Sequence, residues 1–287
     1  MAQQIIDFEV RPDDIWIMGI PRSGTTILQE LTWLLRNDLD YEGAKTNLIF
    51  RVPFFEHYLV FNEKAIEERL KMNPGDEKFL NKIGSIIKDL EEKKGKRTIK
   101  THLPFDLLPP DIMNKGCKVI YVCRNPKDVA FSYYTLQSKL WQINYVGDFP
   151  KYWNFYKNGN SMFGPYFEHV KLGFEKRNLK NVFFLFYEDY RKDTKTYIKK
   201  LAEFLERPLN EDELNKLLDH ADIQNYVKSK QHNVASRFKD VDNNKLQFAR
   251  KGVVGDGKSN FTEEMNKEAD EWIQKNSEEI GIQFPKF

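Results

Sequence analysis

Four short runs of the chain are rich in β-branched and aromatic residues and close to continuously apolar: residues 15–20, 98–100, 118–123 and 182–186. Strands buried on both faces read this way, whereas a half-exposed strand alternates. Between the runs, apolar positions recur with helical spacing. Ile27, Leu28, Leu31, Leu34 and Leu35 predict a helix over 26–36, and Leu80, Ile83, Ile86, Ile87 and Leu90 predict one over 79–90. Helices over 127–140 and 194–205 follow the next two runs. Strand alternating with helix predicts an α/β fold, a central parallel sheet flanked by helices. No repeat, low-complexity tract or linker divides the chain, so a single domain over 1–287 is expected. Residues 225–244 are polar, with few apolar anchors, and read as a loop.

The turn after the first run carries the first chemical signal. Gly19-Ile-Pro-Arg-Ser-Gly24-Thr25-Thr26 lies between a predicted strand and a predicted helix. Two glycines bracketing four residues, followed by hydroxyls, make a P-loop-like anion cradle of backbone N–H groups and a helix N-terminus. The nucleotide-hydrolase version needs Lys and then Ser or Thr after the second glycine. Here Thr25 stands at the Lys position and the cation is Arg22, inside the loop; the third run leads into Arg124, where a metal-binding Asp would be sought. A Mg²⁺-dependent kinase or ATPase is therefore disfavoured, and no metal site is expected.

In open parallel sheets, ligands bind beyond the carboxyl ends of the strands. Those ends supply 21–26, then Lys100-Thr101-His102, then Arg124, then Tyr187. Asn125-Pro126 reads as a helix start, so Arg124 precedes a helix N-terminus with Ser132 two turns inside. A fork-shaped guanidinium, a hydroxyl and the helix dipole suit an anion there; a plain i, i+4 pair of Arg124 with Asp128 is the alternative. A lone His is usually structural, but His102 follows a strand end beside Lys100, and its unperturbed pKa of roughly 6.5 leaves it basic at neutral pH.

Lys100-Thr-His-Leu-Pro104, Arg124-Asn-Pro-Lys-Asp-Val-Ala-Phe-Ser132, Arg51-Val-Pro-Phe-Phe55, Tyr187-Glu-Asp189 and Arg250-Lys-Gly-Val-Val-Gly-Asp-Gly-Lys258 stand in an order and spacing that resembles the cytosolic sulfotransferases. The resemblance runs from about Ile15 to Thr262. It implies transfer of a sulfuryl group from 3′-phosphoadenosine 5′-phosphosulfate (PAPS) to a hydroxyl or amine of a small hydrophobic acceptor, leaving PAP. It implies that Arg22, Ser23, Gly24, Thr25 and Thr26 hold the 5′-phosphosulfate. Arg124, Ser132, Arg250, Lys251 and Gly252 are implied to hold the 3′-phosphate, and Tyr187 and Ile27 to face the adenine. His102 becomes the general base, with Lys100 and Arg22 stabilising the transferring group. The acceptor pocket is expected around Phe54, His57, Phe105 and Leu136, with Tyr145 and Phe149 further candidates. His169, His220 and His232 read as structural or surface residues.

Several positions depart from the family's habit. Arg22 replaces a loop Lys, Ile27 an adenine-stacking Trp, Ala221 and Ile223 a Thr and a Phe, and Gly257 a Trp. The segment before the loop is shorter than is common, so part of an acceptor lid is expected to be missing. These differences leave open a relative that binds the nucleotide or a small ligand with little turnover. In the family's dimer stretch Lys258 and Thr262 match, while Glu263 replaces Val and Lys267 stands at a Glu position, so a monomer or weak homodimer is expected.

Charge alters this picture only in scale. The 45 Lys+Arg and 43 Asp+Glu leave a formal net charge of +2, against a nucleic-acid partner, whose binder usually carries a basic excess. The same balance permits a local pocket of Arg22, Lys100, Arg124, Arg250 and Lys251. Only two cysteines, Cys117 and Cys123, occur, which fits free thiols in a reducing compartment. No apolar core of a signal peptide shows in residues 1–14 and no run approaches a membrane span, so a cytoplasmic protein without a membrane partner is expected.

Overall fold

The computed structural model describes residues 2–61, 63–140, 143–222 and 254–286. The four apolar runs become β1 (Ile15–Met18), β2 (Thr98–Thr101), β3 (Lys118–Cys123) and β4 (Val182–Phe186). All pair in parallel, in the order β2-β1-β3-β4. Alternation along each strand sends side chains to opposite faces. Trp16 and Met18 of β1, with Val119, Tyr121 and Cys123 of β3, enter one apolar cluster; Ile15, Ile17, Ile120 and Val122 enter the other. Helices Pro126–Gln137, Phe149–Lys157, Tyr166–Glu175 and Glu263–Ile280 cover the first face through Val129, Trp153, Val170 and Ala269. Helices Thr25–Arg36, Thr194–Phe204 and Glu211–Ala221 cover the second through Leu31, Leu201 and Leu214. Continuous apolar strands are thus the consequence of two covered faces.

Strand register decides what meets beyond the sheet. Met18 lies level with Thr101 and Tyr121, and Cys123 with Phe186. The residues that follow, Gly19, His102 and Val122, therefore stand in one row, and Arg124 stands beside Tyr187.

The expected strand over 15–20 stops at Met18 because the chain turns at Gly19, whose φ is +148°. A Cβ there would lie 2.4 Å from the Val122 carbonyl oxygen, so only glycine lets the chain leave the sheet at this point. The single helix expected over 79–90 is two, Glu77–Gly84 and Ile86–Glu92. Ser85 divides them, its hydroxyl bonding to the Lys82 carbonyl and to Asp89, local bonds that compete with helix continuation. The helix expected over 127–140 runs Pro126–Gln137, with Asn125 accepting from the Lys127 N–H and proline in the first turn.

At the opposite end of the sheet, the fully buried Arg97 holds Asp14 in a fork, Nε to Oδ1 at 2.7 Å and Nη2 to Oδ2 at 2.5 Å. Breaking such a pair from one side costs about 3–5 kcal/mol, because one charge is left buried alone. Both cysteines are free and buried. Among the described residues no helix is long and apolar enough to cross a membrane.

Candidate active site

The loop after β1 has the backbone of an anion nest. Arg22 (φ +76°) and Gly24 (φ +104°) are left-handed, and Ser23 and Thr25 between and after them are not. Alternation of hand turns successive N–H groups toward one concavity. Helix Thr25–Arg36 opens directly from it, and Gly24 provides no side-chain cap, whereas Asn125, Asp148, Asp193, Asn210 and Thr262 cap their helices. The N–H groups of a first helical turn have no intrahelical acceptor, so an anion suits them. Gly24 is also pressed against Tyr187, at the end of β4. A Cβ at Gly24 would fall 2.4 Å from the Tyr187 ring, on top of the cost of its positive φ. Gly24→Ala is expected to lower the melting temperature by roughly 2–10 °C and to abolish any stabilisation given by PAP. Thermal melts with and without PAP check this; an unchanged melt with a full PAP response would contradict the geometry.

The register brings the other strand ends onto this loop. Arg22 Nε donates to Ser132 Oγ at 2.9 Å. Arg124 Nη1 donates to the Arg22 carbonyl at 3.1 Å, and its guanidinium stacks 4.7 Å from the Tyr187 ring centroid. Arg124 Nη2 also meets Asp128 Oδ2 at 3.2 Å, so the i, i+4 pair exists, but largely buried and as part of the cluster. Asp128 in turn accepts from the backbone N–H groups of Gly255 (2.9 Å) and Gly257 (2.7 Å), tying that turn to the helix start. No side chain fits at Gly257, where a Cβ would be 2.7 Å from the Lys127 carbonyl oxygen. Glu188 is buried under the same corner and accepts from the Asn125 N–H at 2.7 Å. Burial pushes its carboxyl up to about 7, against the pull of that bond and of Arg124.

His102 sits at the other side of the loop, 6% exposed. Its Nδ1 lies 2.5 Å from the Gly19 carbonyl oxygen. A carbonyl only accepts, so Nδ1 carries the proton and Nε2 is left as the basic nitrogen. Burial, and then the charge of Lys100, hold the imidazole well below its ordinary 6.5. The backbone N–H of His102 donates to Glu56 Oε1 at 2.5 Å, and Thr101 Oγ1 donates to Glu56 Oε2 at 2.8 Å. Burial pushes the Glu56 carboxyl up to about 7, while these bonds and Lys100 draw it down. Lys100 reaches over the Phe54 ring, Nζ 3.8 Å from its centroid. Phe54 stands edge-on to His102 at 5.2 Å and near His57 at 5.1 Å, and Phe163 lies 5.5 Å from His102.

Arg22, Ser23, Gly24, Thr25, Lys100, His102, Arg124, Ser132 and Tyr187 therefore converge from four strand ends. Thr26 lies in the first helical turn, and Ile27 packs partly buried against the second apolar cluster. Of the acceptor candidates, Phe54 adjoins His102 and His57 lies behind it against the Phe54 ring. Phe105 instead stacks on Tyr121 at 6.3 Å and lies under Lys176, lining a separate depression with Pro109 and Leu172. Leu136 packs against the first apolar cluster, and Tyr145 and Phe149 belong to an aromatic group with Tyr134. Arg250, Lys251, Gly252, Ile223 and His232, and the polar segment 225–244, lie outside the described residues. Thr262, matched on the dimer stretch, caps helix Glu263–Ile280 by accepting from the Met265 N–H. Glu56, Glu188 and Phe163 carry no mark in the sequence as site residues, and His169, expected as structural or surface, is buried with Nε2 on the His102 carbonyl. A lone carboxylate or histidine reads as surface, and the pattern offers no sign that these are buried against the strand ends. Among the described residues no group of three or more His, Cys, Asp and Glu side chains could hold a metal ion.

A family profile described as the sulfotransferase domain matches residues 12–281. Human sulfotransferase 1E1 is 34% identical over 279 residues, covering 96% of this chain and 88% of that protein. Luciferin sulfotransferase of Photinus pyralis is 35% identical over 280 residues, 95% of this chain and 74% of that protein. Among solved structures, a retinol dehydratase in complex with androsterone and the inactive cofactor PAP superposes with a TM-score of 0.90 at 32% identity, over 100% of this chain and 87% of that one.

Proposed function

The chain belongs to the sulfotransferase family, and from that premise we propose that it moves a sulfuryl group from PAPS to the hydroxyl of a small hydrophobic acceptor, with His102 as general base. The observation that carries this reading is the bond between His102 Nδ1 and the Gly19 carbonyl. It ties a buried, neutral histidine to the loop that would hold the phosphosulfate, and leaves its other nitrogen basic. Bound in that loop, the donor supplies the sulfuryl group and a phosphate oxygen as leaving group.

The chain's own residues divide the remaining work. The nest at Arg22–Thr25 and the first turn of the helix, with Thr26, hold the phosphosulfate through N–H groups. Arg22 and Lys100 bring positive charge to the oxygens that gain negative charge as the bond to sulfur breaks, a contribution that needs preorganised cations more than proton transfer. Arg22 presents a fork in place of the ammonium of a Lys, and it keeps its proton throughout. Arg124 and Ser132, joined by Arg250, Lys251 and Gly252, hold the 3′-phosphate, and Tyr187 and Ile27 border the adenine. His102 Nε2 takes the acceptor's hydroxyl proton. Phe54, His57 and Phe163 form the apolar wall that seats the acceptor and excludes water. Retinol dehydratase, solved once in complex with androsterone and once with retinol, supports a hydrophobic alcohol or phenol as the class. The whole chain acts as one domain, since one sheet presents the loop after β1, Lys100, His102, Arg124 and Tyr187, and the free buried thiols suit a cytoplasmic setting.

The test is incubation with sulfur-labelled PAPS and a panel of phenols, sterols, retinoid alcohols and amines, with product separation. Labelled product on at least one hydroxyl acceptor, without Mg²⁺-dependent ATP hydrolysis, is the expected result. Stabilisation by PAP with no product on any acceptor would overturn the catalytic reading in favour of a binding-only relative.

A further inference from the structure

His102 is gripped by its backbone as well as by its ring. Its carbonyl oxygen accepts from His169 Nε2 at 3.0 Å, across from the Glu56 carboxylate that holds its N–H. We propose that His169, set in place by Tyr121, is a positioning residue for the proposed base: it holds the His102 carbonyl so that the basic nitrogen stays aimed at the acceptor. This inference rests on the reading of His102 as the general base.

Three independent features build the grip. The first is a forced tautomer. The His102 carbonyl can only accept, so His169 Nε2 must carry the proton and Nδ1 must accept. Tyr121 OH lies 2.7 Å from Nδ1 and supplies that hydrogen, with the His169 carbonyl at 3.0 Å as its other neighbour. The second is burial. Tyr121 is fully buried and His169 nearly so, which leaves no water to take over either bond. Tyr121 is itself wedged between Phe184, stacked at 5.5 Å, and Phe105 at 6.3 Å. The third is close approach of the helix that carries His169. On Tyr166–Glu175, Gly173 lies one turn beyond His169, and a Cβ there would fall 2.4 Å from the Tyr121 ring. The missing side chain is what lets this helix sit near enough to β3 for His169 to reach His102.

His169 acts by place and not by proton transfer. Burial pushes its pKa down to about 4, with Asp106 the nearby charge that draws it upward, so it stays neutral where the reaction runs. With the N–H on Glu56, the carbonyl on His169 and Nδ1 on Gly19, His102 has two backbone anchors and one ring anchor, each on a different segment. Losing one lets the end of β2 relax, and a shift of about 1 Å in a reacting group can cost on the order of 10²-fold in rate.

The experiment compares kcat and donor KM for His169→Leu, His169→Gln, Tyr121→Phe and Gly173→Ala, with His102→Ala in parallel. His169→Leu should lower kcat by roughly 10- to 10²-fold with donor KM within about twofold. His169→Gln, whose amide can still donate to the carbonyl, should recover most of that loss. Tyr121→Phe and Gly173→Ala should lower kcat in the same sense without touching His102. Wild-type kcat in folded His169→Leu, or a Gln variant no better than Leu, overturns the proposal, because packing alone would then account for His169. If His169→Leu melts below the assay temperature, Gly173→Ala and His169→Gln decide by the same measure. Full activity in His102→Ala would instead remove the base reading, a separate failure.

Discussion

Replacing His102 by alanine is expected to lower kcat by ~10²–10⁴-fold while donor KM moves by no more than about threefold. The acceptor's proton has to leave as its oxygen attacks sulfur, and His102, held at Nδ1 by the Gly19 carbonyl, keeps its Nε2 lone pair at the edge of the loop. The backbone grips from Glu56 and His169 do not involve the imidazole, so the alanine variant should fold. The pH profile makes the assignment sharper. Burial, Lys100 and Arg22 all disfavour the imidazolium, so the folded pKa lies well below 6.5. Lowering the pKa extends the base form into acid: kcat should stay level as pH falls from about 8 through about 6.5 and drop only below the lowered value. Lys100→Met removes one cationic neighbour, raises the His102 pKa and should shift the acid limb toward 6.5. Glu56 is the other group here that titrates, near 7, through contact with the backbone of His102. In Glu56→Gln the acid limb should therefore stay where it is. Initial-rate measurements across pH on these variants check the assignment, and a His102→Ala enzyme within about threefold of wild-type kcat would sink it.

The sheet was legible because each strand is covered on both faces. Such strands lose their alternation and appear as short solid runs, and β3 and β4 match the runs at both ends. The Asn125-Pro126 helix start was legible because cap and proline each do a local job. Other helices were harder to see. Phe149–Lys157 is built from Tyr152, Trp153 and Tyr156, aromatics of modest helix propensity, although Asp148 and Pro150 signal its start. The convergence of Arg22, Lys100, His102, Arg124 and Tyr187 followed from the rule that parallel strands present their carboxyl ends together. What the rule could not give was the polar layer behind them. Glu30 shows the difficulty: on a helix with an apolar stripe it reads as solvated, yet it is fully buried, pairing with Arg51 at 2.6 Å and His220 at 2.9 Å. Partners distant in sequence decide such burial, as they do for Glu56 and His169. Phe105 shows the same limit from the other side. Its closeness in sequence to His102 suggested the acceptor pocket, but the turn after Pro104 carries it to the face where Tyr121 and Lys176 lie.

Arg124→Ala is expected to raise donor KM, and the Kd for PAP, by roughly 10- to 10²-fold, with kcat at saturating donor changed far less. Arg124 bonds the Arg22 carbonyl, stacks on Tyr187 and pairs with Asp128, so one guanidinium joins the loop, the end of β4 and the start of the Pro126 helix. An anion placed at that helix start meets a cation already oriented. Removing a charged hydrogen bond costs about 1.5–3 kcal/mol, which is the stated range in affinity. Arg124→Lys should fall between, since an ammonium lacks the planar fork that serves several directions at once. Asp128→Ala offers a way to separate charge from architecture. It keeps the guanidinium but releases the Gly255 and Gly257 amides, so it should weaken PAP by loosening that turn and should lower the melting temperature as well. Titration calorimetry with PAP reads the direct effect, and repeating it at rising salt reads the charge. Loss of Arg124 should flatten the salt dependence, because one attraction fewer is left for salt to screen. An Arg124→Ala protein that binds PAP as tightly as wild type would mean that the anion does not sit at this helix start, and the four strand ends would then have to serve some other ligand.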